Sequence, residues 1–359
     1  DMRFSISVNS FVKNKIMLKI TWKKRALAYT EITTDKIVDM LEDNLKEILT
    51  VSIPHNGNSY TFEPLDITVI ESSEVSKKDV NLTIRPAGPN TGIIFQRTDI
   101  NNNNIIHANF KNVVEPILCT QLRNEKGVTV STVEHLMAAF YGEGIDNATI
   151  EINAEEVPIM DGSAFDFVEG IKSVGVETQN QPKKFIKVLK KIEVKDGEKY
   201  ISIEPLEKDL IIDFEIVYKN PLIRTRRKEF KFSNHDLTSV YNSRTFCLYE
   251  DIDQIRKQGL AKGGSLENAI VVKENKILND NGLRHRHEFV DHKILDCLGD
   301  LMLAGHRIFG HIKTSQGGHQ LTNVLLRKFL SDKTNWEIEN FQEKETKDST
   351  YLRPFVVNA

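Results

Sequence analysis

The stretch Phe289-Val-Asp-His292-Lys293-Ile-Leu-Asp296-Cys-Leu-Gly-Asp300-Leu-Met-Leu303 constrains this chain more than any other. On a helix, His292, Asp296 and Asp300 stand at i, i+4 and i+8 and line one face. Ile294, Leu295, Leu298, Leu301 and Met302 lie to the sides as core. A polar stripe on an apolar helix is costly to bury unless its groups are paired or hold a metal. His and Asp four residues apart can share one zinc ion, as nitrogen and oxygen ligands at ~2.0–2.2 Å. The plainer reading is a His–Asp hydrogen bond on a half-exposed face, and the stripe alone favours it.

A catalytic zinc takes a third protein ligand and keeps one position open for water. His135 is the candidate, in Val130-Ser-Thr-Val-Glu134-His135-Leu-Met-Ala-Ala-Phe140, within a segment that reads as a helix from Thr129 to Tyr141. Glu134 points about 100° further round that helix. It stands near a metal without ligating it, where a general base for the water belongs. Ser131-Thr-Val-Glu134 also fits a capping box, in which Glu134 only satisfies the Ser131 amide. Pattern alone favours the cap. In Gln316-Gly-Gly-His319 the glycines let the backbone approach a ligand closely. His319 then suits an acid that protonates a leaving amine, or an oxyanion stabiliser; the alternative is a surface histidine.

The remaining histidines lack such context. Arg284-His285-Arg286-His287 reads as a solvated approach to the helix, because neighbouring cations oppose metal binding. His306 and His311 are expected to make hydrogen bonds, and His107, His235 and His55 have no supporting neighbours. Cys297 faces away from Asp296 and reads as a core thiol. There is no Cys pair at structural-zinc spacing, no phosphate-binding loop of the G-x-x-x-x-G-K-[ST] type and no H-E-x-x-H helix.

Bulk properties exclude several classes. The balance of 48 basic and 51 acidic residues gives a formal net charge of −3, without the basic excess of a nucleic-acid binder. Three scattered cysteines suit a reducing compartment. No stretch approaches the ~18 apolar residues of a membrane span, and the start lacks the pattern of a signal peptide. The expectation is a cytoplasmic, monomeric protein, with any membrane contact peripheral, through a bound lipid chain or a surface patch.

Alternation and helical periodicity divide the chain. Thr34 to Thr50 looks helical. Strands are expected at residues 80–85, 92–96 and 147–153, and a helix from Ala164 to Lys172. The polar run 176–184 marks a boundary. Beyond it come strands from about 185 to 231, a helix around 249–258 and a strand at 268–272. A long helix from about 287 to 304 follows, then a strand before Gly317 and a helix from Leu321 to Leu330. The fold class expected is α+β: two similar domains, 76–178 and 179–341, each a small sheet packed on helices, with the site in the cleft between them. Residues 1–75 form a segment of unknown role, and 342–359 a charged tail.

Several stretches together carry a resemblance. They are Ser131-Thr-Val-Glu-His-Leu-Met-Ala-Ala139, Gly144-Ile-Asp-Asn147, Val157-Pro-Ile-Met-Asp-Gly-Ser163, Ser243-Arg-Thr-Phe246 and Gln258-Gly-Leu-Ala-Lys-Gly-Gly-Ser-Leu-Glu-Asn-Ala269. Asn279-Asp-Asn-Gly-Leu-Arg284, Phe289 to Asp296, Gly305-His-Arg307 and Gly318-His319 complete the set. In order and spacing, from about residue 76 to 341, the chain resembles the zinc-dependent UDP-3-O-acyl-N-acetylglucosamine deacetylases of lipid A synthesis in Gram-negative bacteria. The resemblance implies that His135, His292 and Asp296 bind Zn2+, that Glu134 is the general base and that His319 is the general acid. It implies that Lys293 and Asp300 support the site, Lys293 also at the substrate and Asp300 by orienting His319. Thr245 would hydrogen-bond the oxygen of the scissile amide. The substrate implied is UDP-3-O-acyl-N-acetylglucosamine. Its acyl chain would lie along an insert matching Phe246 to Val271, where Phe246, Ile252, Leu260 and Ile270 are candidate lining residues; ordinary core is the alternative for each.

The departure is at the front. The family carries a glycine-rich loop with a Leu-His-Ser-Gly turn before the strand matching Val80 to Arg85, whereas this chain has Ser73-Glu-Val-Ser-Lys77, in which only Ser76 agrees. Two rival readings follow: a lipid-sugar-nucleotide binder that has lost turnover, and a zinc amidase for another acetylated sugar.

Overall fold

A computed structural model describes residues 6–12, 15–20, 67–72, 79–114, 118–234, 237–257 and 264–341. The helix expected at Thr34–Thr50, the altered stretch Ser73–Lys77, His55, His235, Leu260 and the tail beyond Phe341 lie outside the described residues.

The architecture is α+β, built on two seven-stranded sheets. The first runs in the order Lys15–Ile20, Ile6–Val12, Ile67–Ser72, Asp79–Pro86, Ala148–Ile152, Ile93–Arg97, Ile105–His107. Its middle reads directly from the sequence, because alternate residues of Ile93–Arg97 and Ala148–Ile152 are buried. Ala148–Ile152 joins Asp79–Pro86 antiparallel and Ile93–Arg97 parallel. Ile67–Ser72 pairs antiparallel with Asp79–Pro86, in register from Ile67↔Ile84 to Ser72↔Asp79. A strand therefore adjoins Asp79–Pro86 despite the lost glycine-rich turn. The hairpin Ile6–Val12/Lys15–Ile20 extends the sheet beyond it.

The second sheet is organised on Arg307–Ser315. The first part of this strand, Arg307–Phe309, runs parallel to Lys183–Val188. The remainder pairs with Lys199–Glu204 on one side and Leu210–Ile216 on the other.

The described residues form six α-helices: α1 (Glu134–Glu143), α2 (Phe165–Val174), α3 (Thr238–Tyr241), α4 (Ile252–Lys257), α5 (Glu288–Met302) and α6 (His319–Ser331). The helix expected from Thr129 begins later. Thr129–Val130 is a short strand, and Thr132 takes a left-handed backbone (φ 57°) that breaks the chain before α1. The helix expected at 249–258 divides into a 3-10 turn, Tyr249–Asp251, and the short α4.

Helix α5 is the centre of the molecule, and only Lys293 among its residues escapes full burial. Phe289, Ile294, Leu295, Leu298 and Leu301 are completely enclosed, each such side chain contributing about 1.5–3 kcal/mol. Its closest partner is α1, and the reason is Gly299. A Cβ there would fall inside the van der Waals envelope of the Glu134 carbonyl. The glycine lets the backbones touch, which carries Glu134 and His135 up to the polar stripe of α5. Gly299→Ala is expected to overpack this crossing by ~1–3 kcal/mol and lower Tm by about 2–8 °C. An unchanged melting curve would show that the crossing is not held by close approach.

Candidate metal centre and acid–base site

The polar stripe of α5 is buried rather than half-exposed: His292, Asp296 and Asp300 are each no more than 5% exposed. His135, from the first turn of α1, faces it. One ligand atom from each of His135, His292 and Asp296 lies within 4.8 Å of the others. Nε2 of His292 and Nε2 of His135 converge on Asp296 Oδ1 at 3.3 and 3.6 Å.

Two of the three ligands, His292 and Asp296, are oriented from behind in the way metal ligands commonly are. His292 donates through Nδ1 to the Ser243 carbonyl at 3.0 Å, leaving the Nε2 lone pair turned inward. Lys293 Nζ holds the outer oxygen of Asp296 at 2.8 Å. Burial, against the pull of Asp296 and with some help from His135 and Lys293, brings His292 down to about 3, so the ring is neutral. Burial pushes the Asp296 carboxyl up, yet it lies well below the usual carboxylate range, with the Lys293 ammonium at 2.8 Å drawing it down. Neutral imidazole and ionised carboxylate are the protonation states a cation needs. His135 Nδ1 is buried without a hydrogen-bond partner, and such orphans call for an explanation. His135 Nε2, the nitrogen turned toward Asp296, is the one placed to take a cation. The three residues fit a single divalent cation, and no fourth protein ligand joins them among the described residues.

The acid–base pair sits beside this cluster. Glu134 does not cap its helix. The Ser131 amide donates to Glu155 O, and the N-cap position, Val133, makes no side-chain cap bond. Instead Glu134 Oε2 accepts the Thr120 amide at 3.0 Å, and Oε1 faces His319 Nε2 at 3.7 Å. Burial raises the Glu134 carboxyl, against the pull of His319 and His135. His319 opens α6 and is 7% exposed, not a surface residue. Its Nδ1 lies 2.8 Å from Asp300 Oδ2. Burial pulls the imidazole down, but Asp300 and Glu134 outweigh it and push it up to about 10.

The loop carrying Thr245 is fixed by a buried ion pair. Arg244 Nε meets Glu288 Oε1 at 2.8 Å, and Glu288 Oε2 also takes the Arg284 amide at 2.6 Å. The Thr245 amide donates to Gly162 O at 2.7 Å. Gly162, at φ +84°, lies against the Asn268 carbonyl, where a side chain has no room. The Thr245 hydroxyl takes no partner among the described residues. Phe246 packs on Phe289 at 4.9 Å and Tyr218 at 5.6 Å between ring centroids, with Lys293 Nζ 5.6 Å above its ring. Ile252 is half-buried on α4, and Ile270 is fully buried in the hydrophobic core.

Two of the sequence expectations for the remaining histidines need correction. Arg284 and His285 are not simply solvated. Arg284 pairs with Asp161 at 2.7 Å, and His285 Nε2 lies 3.0 Å from Ser243 Oγ; the cations find partners because the chain turns there against the Ser243 loop. His311, expected to make hydrogen bonds, has its Nε2 buried without a partner. Thr120 was not singled out by any motif, although it touches Glu134, Asp300 and His319. Its only sequence signal is a place just before the short strand Gln121–Arg123.

Two imidazoles and a carboxylate converging in a dry cluster, with a second carboxylate and a carboxylate-tied imidazole alongside, make up the centre of a metal-dependent hydrolase. The comparisons narrow that class. The family described as LpxC, UDP-3-O-acyl N-acetylglycosamine deacetylase, matches residues 69–331, and the chain belongs to this family of amide-hydrolysing deacetylases. The match starts earlier than residue 76, taking in most of the strand Ile67–Ser72, and stops short of 341. A UDP-3-O-acyl-N-acetylglucosamine deacetylase from Vibrio campbellii is 44% identical over 287 residues, covering 79% of this chain and 94% of the relative. One from Haemophilus influenzae (strain PittGG) is 44% identical over 285 residues, 79% and 93% of the two chains. One from Vibrio cholerae (strain M66-2) is 43% identical over 287 residues, 79% and 94%. Among the described residues no helix is long and apolar enough to cross a membrane.

Proposed function

We propose that this chain hydrolyses the N-acetyl group of UDP-3-O-acyl-N-acetylglucosamine, giving UDP-3-O-acyl-glucosamine and acetate, the committed step toward lipid A. The observation that carries the reading is the convergence of His135, His292 and Asp296 beside the Glu134–His319 pair. The cation is taken to be zinc, which suits two imidazoles and one carboxylate with an open position. Bound there, it supplies Lewis acidity, polarising the amide carbonyl and making water a better nucleophile.

Glu134 Oε1 takes a proton from the attacking water, while its other oxygen stays on the Thr120 amide. The Thr245 hydroxyl donates to the oxyanion of the tetrahedral adduct. His319 gives the proton on Nε2 to the sugar nitrogen as the C–N bond breaks, and Asp300 holds Nδ1–H and steadies the imidazolium. Lys293 supports Asp296 and, with Phe246, borders the substrate. Ile252 and Leu260 are proposed to line the acyl passage, with Ile270 behind them. The reading is of a monomeric enzyme that meets this substrate in the cytoplasm. The non-catalytic reading is not favoured, because base, acid and ligand set are all in mutual reach.

Zinc-loaded protein is expected to release acetate from the 3-O-acylated substrate and far less from the sugar nucleotide lacking that chain. Absence of acetate from a folded, zinc-loaded preparation would overturn the proposal. Ile252→Asp is expected to raise KM for the acylated substrate roughly 10-fold, the scale of losing a few buried methylenes, with binding of free UDP unchanged. Equal loss for both ligands would point to unfolding of α4 instead.

The pH profile follows from the two shifts. Glu134 must be ionised to act, so kcat rises with pH through its titration, which burial raises and a bound cation lowers. His319 must be protonated to donate, so kcat falls as pH climbs through its titration; the two carboxylates that push it up prolong the plateau on the alkaline side. His319→Gln is expected to abolish the alkaline limb in a kcat–pH series. A limb that persists unaltered would belong to another group.

A further inference from the structure

We propose that Thr120 is a positioning residue that locks the general base and the general acid into one rigid unit, an assignment that rests on the proposed function. The two partners arrive from separate elements. Glu134 opens α1, Asp300 lies in the last turns of α5 and His319 opens α6. Nothing in the helix packing alone fixes the rotation of three side chains about their own bonds.

Thr120 does so with two groups of one residue. Its amide donates to Glu134 Oε2 at 3.0 Å. That bond occupies the oxygen turned away from His319 and leaves Oε1 to take the proton. Its hydroxyl donates to Asp300 Oδ1 at 2.6 Å. The same hydroxyl oxygen lies 3.1 Å from His319 Nδ1, which also meets Asp300 Oδ2 at 2.8 Å. A hydroxyl has one proton and two lone pairs. With its proton committed to Asp300, it faces Nδ1 only as an acceptor. The Nδ1–H is therefore shared between two acceptors, and the proton that moves in catalysis must be the one on Nε2, the nitrogen that faces Glu134.

The surroundings make these bonds strong. Thr120 is 1% exposed. Val113, Leu303 and Leu326 border the space behind Thr120, Asp300 and His319. Hydrogen bonds to charged groups gain strength in such a dry setting.

The test uses the zinc-loaded full chain with Thr120→Val, which keeps the shape and removes the hydroxyl, and Thr120→Ser, which restores it. The expected result is a kcat about 10–100-fold lower in the Val variant, the scale of losing a hydrogen bond to a charged group. KM and zinc content should stay within about 2-fold of the unaltered chain, and the Ser variant should recover most of kcat. If the Val substitution prevents folding, Thr120→Ala is compared with Thr120→Ser in the same way. A Val or Ala variant with unchanged kcat overturns the assignment. So does an equal loss in the Ser variant, which would assign the effect to packing of the methyl group. Acetate release by the unaltered chain tests the proposed function by itself, so failure of that reading is distinguishable from failure of this one.

Discussion

Glu134→Ala is expected to lower kcat by roughly 10²–10⁴-fold, the usual contribution of a general base, while bound zinc and Tm stay close to those of the unaltered chain. The separation of effects comes from geometry. Glu134 is adjacent to a metal ligand in sequence, but it is not a member of the converging cluster. One oxygen is held by the Thr120 amide and the other faces His319. Removing the carboxylate leaves the cation site whole. It also removes a buried acidic group whose ionisation burial opposes, so little stability should be lost. The measurements are kcat, zinc content and the thermal transition on one preparation. A variant that melts lower yet turns over normally would restore the capping role the sequence pattern allowed and would sink the mechanism.

Asp296→Ala is expected to abolish turnover by a different route, through loss of the cation. Asp296 supplies the only carboxylate of the cluster, and both Nε2 atoms are aimed at its Oδ1. Affinity for zinc should fall by more than the ~10–100-fold typical of losing a group that merely orients a ligand. Lys293 also loses its partner at 2.8 Å, although its side chain, 25% exposed, can turn toward solvent. Chelation of the unaltered chain should lower its Tm, since a cation that binds only the folded state stabilises it by mass action. Zinc added back should restore both Tm and acetate release in the unaltered chain and neither in the variant. Full activity of Asp296→Ala after chelator treatment would refute the metal assignment.

The sequence revealed much of this because helical spacing is a strong geometric statement. His292, Asp296 and Asp300 could only share a face, and that face is found buried on α5. What escaped was the partnering of atoms across long separations. The choice for Glu134 between helix cap and site could not be made from Ser131-Thr-Val-Glu134. It depends on Thr132 breaking the backbone at φ 57° and on the Ser131 amide going to Glu155. Thr120 was invisible for the same reason, since a lone threonine has no periodic signature. Gly299 read as an unremarked helical residue, and only the crossing with Glu134 explains it. Arg284 and His285 looked solvated because their partners, Asp161 and Ser243, are distant in sequence.

The strand Arg307–Ser315 bears on the order in which the chain is made. Lys183–Val188, Lys199–Glu204 and Leu210–Ile216 all wait for it, because each pairs with it. At its start, Arg307 reaches back to the Tyr141 and Gly142 carbonyls at the end of α1. At its end it delivers His319. Domains emerging from the ribosome normally fold as units, N-terminal first. Here the second sheet has no axis until Arg307–Ser315 has been made, and Thr120 meets His319 across 199 positions. A nascent chain halted before Arg307 would thus expose unpaired strand edges, which are prone to aggregate, and hold no working centre.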